Sequence, residues 1–379
     1  MSSVTKILLK PFGLLYAAVT RGREKLYKKG FFKSRNLGAK TVSVGNITVG
    51  GTGKTPMVAY VARVLFESGE KVCVLTRGYG RENPRQRVVV SDGEKILAKV
   101  SESGDEPFEL AKKLLGISAV VADARRAEAA VFARENFGST AFVLDDAFQH
   151  FQVERNLDIV LIDATNPFGG GEVLPAGILR EPLTNLKRAD VVVITRANLV
   201  KAEKIAELKS QIAALCPQGK VFTAENRISK LLNLKDFHAK AQSSEGENVK
   251  PADVSPENSA KDQKSFPDSR LQTQDFRLQT QKSLAFCALG NPENFFEQLR
   301  RENFALAATR KFRDHYRYAQ KDVFDLQREA KDAGAEFLLT TAKDAVKLFA
   351  LKFDLPCFVV ESEMVLEDEE GFRKLILKS

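Results

Sequence analysis

The sequence is poor in the side chains that build metal cages and covalent cross-links. It has three histidines and four cysteines, Cys73, Cys216, Cys287 and Cys357, with no Cys-x-x-Cys pair among them. That argues against a zinc cage or a disulfide framework and fits a reducing cytosol. Long apolar runs are also missing. The uncharged stretch Pro11 to Thr20 is ten residues long, too short to span a bilayer, which takes ~20. No small-residue cleavage site follows it, which counts against a secretory leader.

Most of the chain has no charge excess. Residues 1–40 hold ten basic groups against one acid, Glu24, and carry the whole formal excess of +9; the remaining 339 residues balance 48 bases with 48 acids. A nucleic-acid enzyme would spread positive charge along its working face, so no nucleic-acid partner is expected. The basic segment is also apolar, with Ile7, Leu8, Leu9, Phe12, Leu14, Leu15, Tyr16 and Val19. Two readings stand: an interfacial helix with basic groups toward anionic lipid, or a helix packed on the core with a solvated basic end.

What is present is a glycine-rich turn. Residues 45–56 read Gly-Asn-Ile-Thr-Val-Gly-Gly-Thr-Gly-Lys-Thr-Pro, directly after the apolar run Thr41 to Val44. A buried strand, a turn whose N–H groups face inward and a helix opening on Lys-Thr together cradle a nucleotide triphosphate. Thr48, Val49, Gly50, Gly51, Thr52, Gly53, Lys54 and Thr55 are the candidate contacts. Lys54 reaches the β- and γ-phosphates and Thr55 ligates Mg²⁺. Thr48 stands where the usual pattern has glycine, and a ligand-free glycine turn is the plain alternative. There is no Asn-Lys-x-Asp guanine-reading motif and no Leu-Ser-Gly-Gly-Gln signature. Val49 stands where ParA- and MinD-like ATPases carry lysine.

Apolar strands are expected at Thr41–Val44, Val72–Thr76, Val88–Val90, Ala119–Ala122, Ala141–Leu144, Leu157–Ile162 and Asp190–Thr195, with helical segments between several of them. This alternation predicts an α/β fold: a P-loop NTPase-like, mostly parallel sheet flanked by helices. Hydrophobic content of 44% supports a substantial core. Residues 239–282 are polar and low in complexity, with Arg-Leu-Gln-Thr-Gln copied at 270 and 277; they read as an insertion. Strand and helix patterns resume at Leu284 as a smaller C-terminal α/β lobe. The expected division is therefore 1–38, 39–222 and 223–379.

Chemistry-bearing residues gather at predicted strand ends. Asp145-Asp146 follows Leu144, where an acid beside a P-loop contacts Mg²⁺; a polar turn is the alternative. Asp105 opens a predicted helix and could cap it or act as a base. His315 could pair with Asp105 if the lobes meet. Arg77 and Tyr79 sit on a glycine-flanked loop suited to phosphate or a base, and Arg125-Arg126 and Arg180-Glu181 are further candidates.

In order along the chain, Gly45-Asn46 through Pro56, Arg77-Gly78-Tyr79-Gly80, Gly104-Asp105-Glu106-Pro107, Asp145 through His150, Leu174-Pro175-Ala176-Gly177 with Arg180-Glu181-Pro182, Asp314-His315 and Lys343 through Val346 resemble the tetraacyldisaccharide 4′-kinase family of lipid A biosynthesis. The sequence departs from the family pattern at Ala147, where glycine is usual and whose side chain would shift the turn, and at Ala342. The resemblance implies transfer of the ATP γ-phosphoryl group to the 4′-hydroxyl of tetraacyldisaccharide 1-phosphate. It implies Asp105 as base with His315 as partner and Lys54 on the phosphates. Mg²⁺ would lie on Thr55, Asp145, Asp146 and Glu181, and the nucleotide beside Tyr79. Arg77, Arg125 and His150 are assigned to the lipid. It further implies a membrane-associating N-terminal helix on an anionic surface, at the cytoplasmic face of the bacterial inner membrane, and no protein partner. The alternative function is a membrane-associated P-loop ATPase switch without a lipid substrate.

Overall fold

The computed structural model describes residues 3–242 and 278–379; most of the low-complexity stretch falls on 243–277, outside the described residues. Twelve strands form one sheet: β1 (Lys40–Asn46), β2 (Val72–Thr76), β3 (Val88–Ser91), β4 (Ser118–Ala122), β5 (Ala141–Asp145), β6 (Leu157–Asp163), β7 (Val191–Thr195), β8 (Lys220–Asn233), β9 (Ser283–Cys287), β10 (Leu306–Lys311), β11 (Phe337–Thr341) and β12 (Cys357–Leu366). Their order is β10-β9-β11-β12-β8-β7-β6-β1-β5-β2-β4-β3. Among the described strands only β3/β4 and β8/β12 pair antiparallel. The parallel strands β2, β4, β5, β6 and β7 are buried along their whole lengths. This is why they read as unbroken apolar runs rather than alternating ones.

The strand β8 is concealed in the sequence. It runs 14 residues. Lys220–Thr223 pair parallel with β7 and Ala224–Asn233 pair antiparallel with β12. The sheet is thus continuous through residues 222 and 223. Its polar residues Glu225, Asn226, Arg227 and Lys230 mask it, because they occupy half-exposed positions or, for Arg227, an exposed one. The edge strand β10 escapes prediction for a similar reason: its residues Leu306–Lys311 have no buried position.

The chain also returns to its beginning. The C-terminal helix Glu369–Lys378 places a fully buried Phe372 against the rings of Tyr60 (5.9 Å) and Phe222 (5.2 Å). Tyr60 belongs to the helix Lys54–Glu67, whose Met57, Val58, Val61, Ala62, Val64 and Leu65 fill the core beside β1, β2 and β5. Burying one such ring contributes roughly 1.5–3 kcal/mol. The helix opening on Lys54 is therefore held between the sheet and the C-terminal helix.

The N-terminal helix Ser3–Lys28 touches the body through its small residues. Gly13 packs so closely that a Cβ there would lie 3.4 Å from the Val173 carbonyl oxygen. Ala17 and Glu24 are buried on the same face, and Glu24 pairs with Arg188 at 3.2 Å. The large apolar side chains point outward: Leu8, Phe12, Leu14, Leu15 and Val19 are each more than 60% exposed. Among the described residues no helix is long and apolar enough to cross a membrane.

Candidate active site

The carboxyl ends of the parallel strands open into a cleft of about 900 Å³. Ligands of open α/β sheets bind at such ends. The phosphate turn leaves β1 and is fastened on two sides. Asn46 Nδ2 donates to Thr52 Oγ1 (3.1 Å), Val49 N–H to the Ile178 carbonyl (2.7 Å) and Arg180 N–H to the Ile47 carbonyl (2.8 Å). From β7, Thr195 donates to the Thr52 carbonyl (2.9 Å) and Arg196 to that of Gly51 (2.8 Å). Gly53 caps the helix with φ 89°, a left-handed value that a Cβ-bearing residue adopts only under strain. Thr48 is buried, Val49 is half exposed, and Val49 through Thr55 line the cleft.

At the tip of β5 the two aspartates separate in character. Asp145 is buried and accepts from Thr76 Oγ1 at 2.8 Å. Burial, then the negative charges of Glu106 and Asp146, push its carboxyl up to about 6. Asp146 is half-buried; desolvation would raise its carboxyl, yet Lys54 (3.8 Å) and Arg180 (2.7 Å) outweigh that and hold it below the usual range. The left-handed residue of this turn is Asp146, with φ 49°. Ala147 sits buried beyond it outside that region, so its methyl group does not displace the turn.

Among the described residues no group of three or more His, Cys, Asp or Glu is placed to hold a metal. Two carboxylates and the Thr55 hydroxyl remain, an all-oxygen set suited to a hard cation that keeps water and phosphate ligands. The partly neutralised Asp145 fits that use, since a divalent cation would ionise it. Glu181 is placed differently. Its oxygens take Gln149 Nε2 (2.8 Å), Asn185 Nδ2 (2.8 Å) and both terminal nitrogens of Arg188 (2.9 Å each). It stands behind the cleft wall, bracing Gln149, and could meet a cation only by exchanging these partners.

Asp105 opens the helix Asp105–Lys113, whose Glu106, Glu109 and Lys113 line the cleft; the cap position is Gly104 and Asp105 makes no capping bond. Its Oδ2 instead accepts from His315 Nδ1 at 3.4 Å, across 210 residues of sequence. Burial opposes ionisation of Asp105. The His315 hydrogen bond and the charges of Lys347, His315 and Lys343 overcome it, so the carboxyl lies below its ordinary value. His315 holds a left-handed backbone, φ 58°, with its N–H on Asp314 Oδ1 (3.0 Å). Such strain in a bulky residue persists only where its surroundings fix it. The exposed Tyr79 ring lies 5.5 Å from the imidazole.

The arginines sort by orientation. Arg77 is exposed and lines the cleft. Arg125, expected there, turns outward to Glu128 (3.0 Å) and is not part of the lining. Its neighbour Arg126 is buried, lines the cleft and donates to the Asp145 carbonyl at 3.1 Å. Spacing alone does not distinguish these two at a helix start; the helix Arg126–Phe137 turns the second one inward. His150 also lines the cleft. Burial and the charges of Arg126, Arg155, Arg23 and Arg77 push its imidazole down to about 3. Tyr16 and Arg23 bring the N-terminal helix to the same end of the cleft. The helix Pro292–Arg301 adds Asn294, which donates to Asp163 Oδ2 (3.1 Å), beside the Arg196–Asp163 pair.

A phosphate turn with its lysine, two acids at the neighbouring strand tip and a carboxylate–imidazole pair at the cleft define a P-loop phosphotransferase. The family model for tetraacyldisaccharide-1-P 4′-kinase matches residues 5–379, and the chain belongs to that family. It is 38% identical over 341 residues to the tetraacyldisaccharide 4′-kinase of Geobacter metallireducens, covering 90% of this chain and 88% of the relative. To that of Geobacter sulfurreducens it is 37% identical over 351 residues, 92% and 86% of the two chains. The fold matches the crystal structure of LpxK from Aquifex aeolicus in complex with ATP, with TM-score 0.71, 29% identity and 99% of each chain covered.

Proposed function

We infer that the protein transfers the γ-phosphoryl group of ATP to the 4′-hydroxyl of tetraacyldisaccharide 1-phosphate. The observation that carries this reading is that His315 lines one cleft with Lys54 and holds the Asp105 carboxylate at 3.4 Å. Lys54 and the turn amides hold the β- and γ-phosphates. Thr55, Asp145 and Asp146 would hold Mg²⁺, which neutralises charge on the phosphates and aligns them. Asp105 Oδ2 receives the proton of the 4′-hydroxyl as its oxygen bonds to phosphorus. A carboxylate below its ordinary pKa is a weak base, which suffices because the hydroxyl turns acidic only late in a loose transition state. His315 orients that carboxylate through Nδ1–H.

Arg77, Arg126 and Arg23 supply positive charge for the 1-phosphate end, and the neutral His150 among them offers a hydrogen bond without competing for the anion. The outward apolar side chains of the N-terminal helix receive acyl chains and lie on the leaflet, with Arg21, Lys25, Lys28 and Lys29 toward anionic headgroups. The enzyme thereby works at the membrane face from which its substrate is presented. Incubation with γ-labelled ATP and the acylated disaccharide monophosphate tests the reading. Label in the lipid supports it, whereas ADP release that is indifferent to the lipid would make the protein an ATPase switch.

A further inference from the structure

Two nitrogen-bearing side chains, both distant in sequence, meet Asp105 Oδ2. One is His315; the other is Lys347 Nζ at 3.9 Å. Lys347 is only 6% exposed and stands just beyond the short helix Ala342–Ala345. Its ammonium lies 2.8 Å from Asp344 Oδ1. Asp344 is fully buried, and its Oδ2 accepts from the Ala288 N–H after β9 (2.9 Å) and from the Thr341 hydroxyl ending β11 (2.8 Å). The anchor is therefore fixed to the tips of two adjacent parallel strands.

A buried ion pair serving only the core gains little over apolar side chains of the same size. This one does not close on itself, because its cation reaches a second carboxylate, Asp105, on the neighbouring helix Asp105–Lys113. The other charges around Asp105 are otherwise engaged. Lys343 lies between Asp314 (3.1 Å) and Glu106 (3.6 Å). On the Asp105 helix itself, Glu109 is pushed up to about 7, by burial first, despite Lys113 and Lys343.

We propose that Lys347 is a positioning residue of the phosphotransfer site: pinned by Asp344, it fixes the Asp105 carboxylate beside His315 and favours its charged form. This rests on the reading of Asp105 as the base.

The direction of the pH effect follows from the charge. A cation within about 4–6 Å favours the carboxylate by 1–3 pKa units. Losing it raises the Asp105 pKa, so the acid limb of kcat/KM moves to higher pH.

The test is the Lys347→Met variant of the full chain, assayed from pH 5 to 9 with the acylated disaccharide monophosphate and Mg-ATP. The expected result is an acid limb displaced upward by about 1–3 pH units, a lower kcat at pH 6 and an unchanged KM for ATP; Lys347→Arg should return the limb toward its original place. Carbon-13 titration of the Asp105 carboxyl in nucleotide-free protein should move the same way. A uniformly lower kcat with an unmoved limb and an unmoved carboxyl titration would overturn the proposal. Should Lys347→Met not fold, the double variant Asp344→Asn with Lys347→Met removes the buried pair as a unit and is read identically; failure of that variant to fold would assign the pair to the core and overturn the proposal too. Asp105→Ala separates the two readings: near-normal kcat there defeats the base assignment itself, whereas an inactive Asp105→Ala beside an unmoved Lys347→Met limb defeats only the role of Lys347.

Discussion

Thr76 and Asp145 close the tips of the paired strands β2 and β5, the Thr76 hydroxyl donating to Asp145 Oδ2 at 2.8 Å. That single bond does not offset the burial of the acid, whose carboxyl stays at about 6. The folded value lies above the unfolded value of ~3.9. Its stability contribution is therefore present below about pH 4 and is lost as pH rises through 6. Asp145→Asn should stabilise the Mg²⁺-free protein at pH 7.5, by on the order of 1–3 kcal/mol, with the gain shrinking at pH 5, while abolishing transfer. Thermal melts at the two pH values check this; an equal loss of stability at both would contradict it.

His150 gives a prediction of opposite sign. Its folded value of about 3 lies below the unfolded ~6.5, so protonation favours the unfolded chain and stability falls as pH drops below about 6.5. In the folded protein the ring should stay neutral. The His150 ring-proton resonance should not move between pH 8 and pH 5, and a titration near 6.5 would refute the arginine-crowded site.

Arg196 ties the phosphate turn to β6 through the Gly51 carbonyl and Asp163. Arg196→Ala removes charge-assisted bonds of roughly 1.5–3 kcal/mol in total effect. The Kd for Mg-ATP should rise by about tenfold or more. Calorimetric titration reads this directly, and an unchanged Kd would mean that the turn keeps its shape unaided.

The outward face of the N-terminal helix can be altered without touching its packed face. Replacing Phe12, Leu15 and Val19 with serine removes apolar surface worth roughly 1.5–3 kcal/mol per side chain on full burial. Partition onto anionic vesicles should fall by at least about 100-fold, with Tm unchanged because Gly13, Ala17 and Glu24 remain. Undiminished vesicle binding would remove the leaflet contact from the account.

The buried parallel strands and the phosphate turn were legible because burial on both faces forces continuous apolar runs and because the turn needs glycine at fixed places. Asp145, Asp146 and Lys54 were legible by adjacency to those strands. The strand β8 was not, since half its positions meet water and its pairing with β12 spans more than 120 residues. Pairing of Asp105 with His315 could be posed from sequence only as a possibility of lobe contact. The inward turn of Arg126 rather than Arg125, and the engagement of Glu181 by Arg188, depend on side-chain direction and on a partner distant in the fold, which local spacing does not encode. Lys347 gave no signal beyond its place after the Lys343–Val346 motif, because its meaning lies in what Asp344 is anchored to.

The most direct test is a single-turnover measurement of label transfer from γ-labelled ATP to the acylated disaccharide monophosphate, comparing the wild-type chain with Asp105→Ala at saturating Mg-ATP. The account predicts rapid labelling of the lipid by wild type and transfer slower by about 10²–10⁴-fold in the variant, with nucleotide binding intact in both. Transfer by Asp105→Ala at the wild-type rate would contradict it.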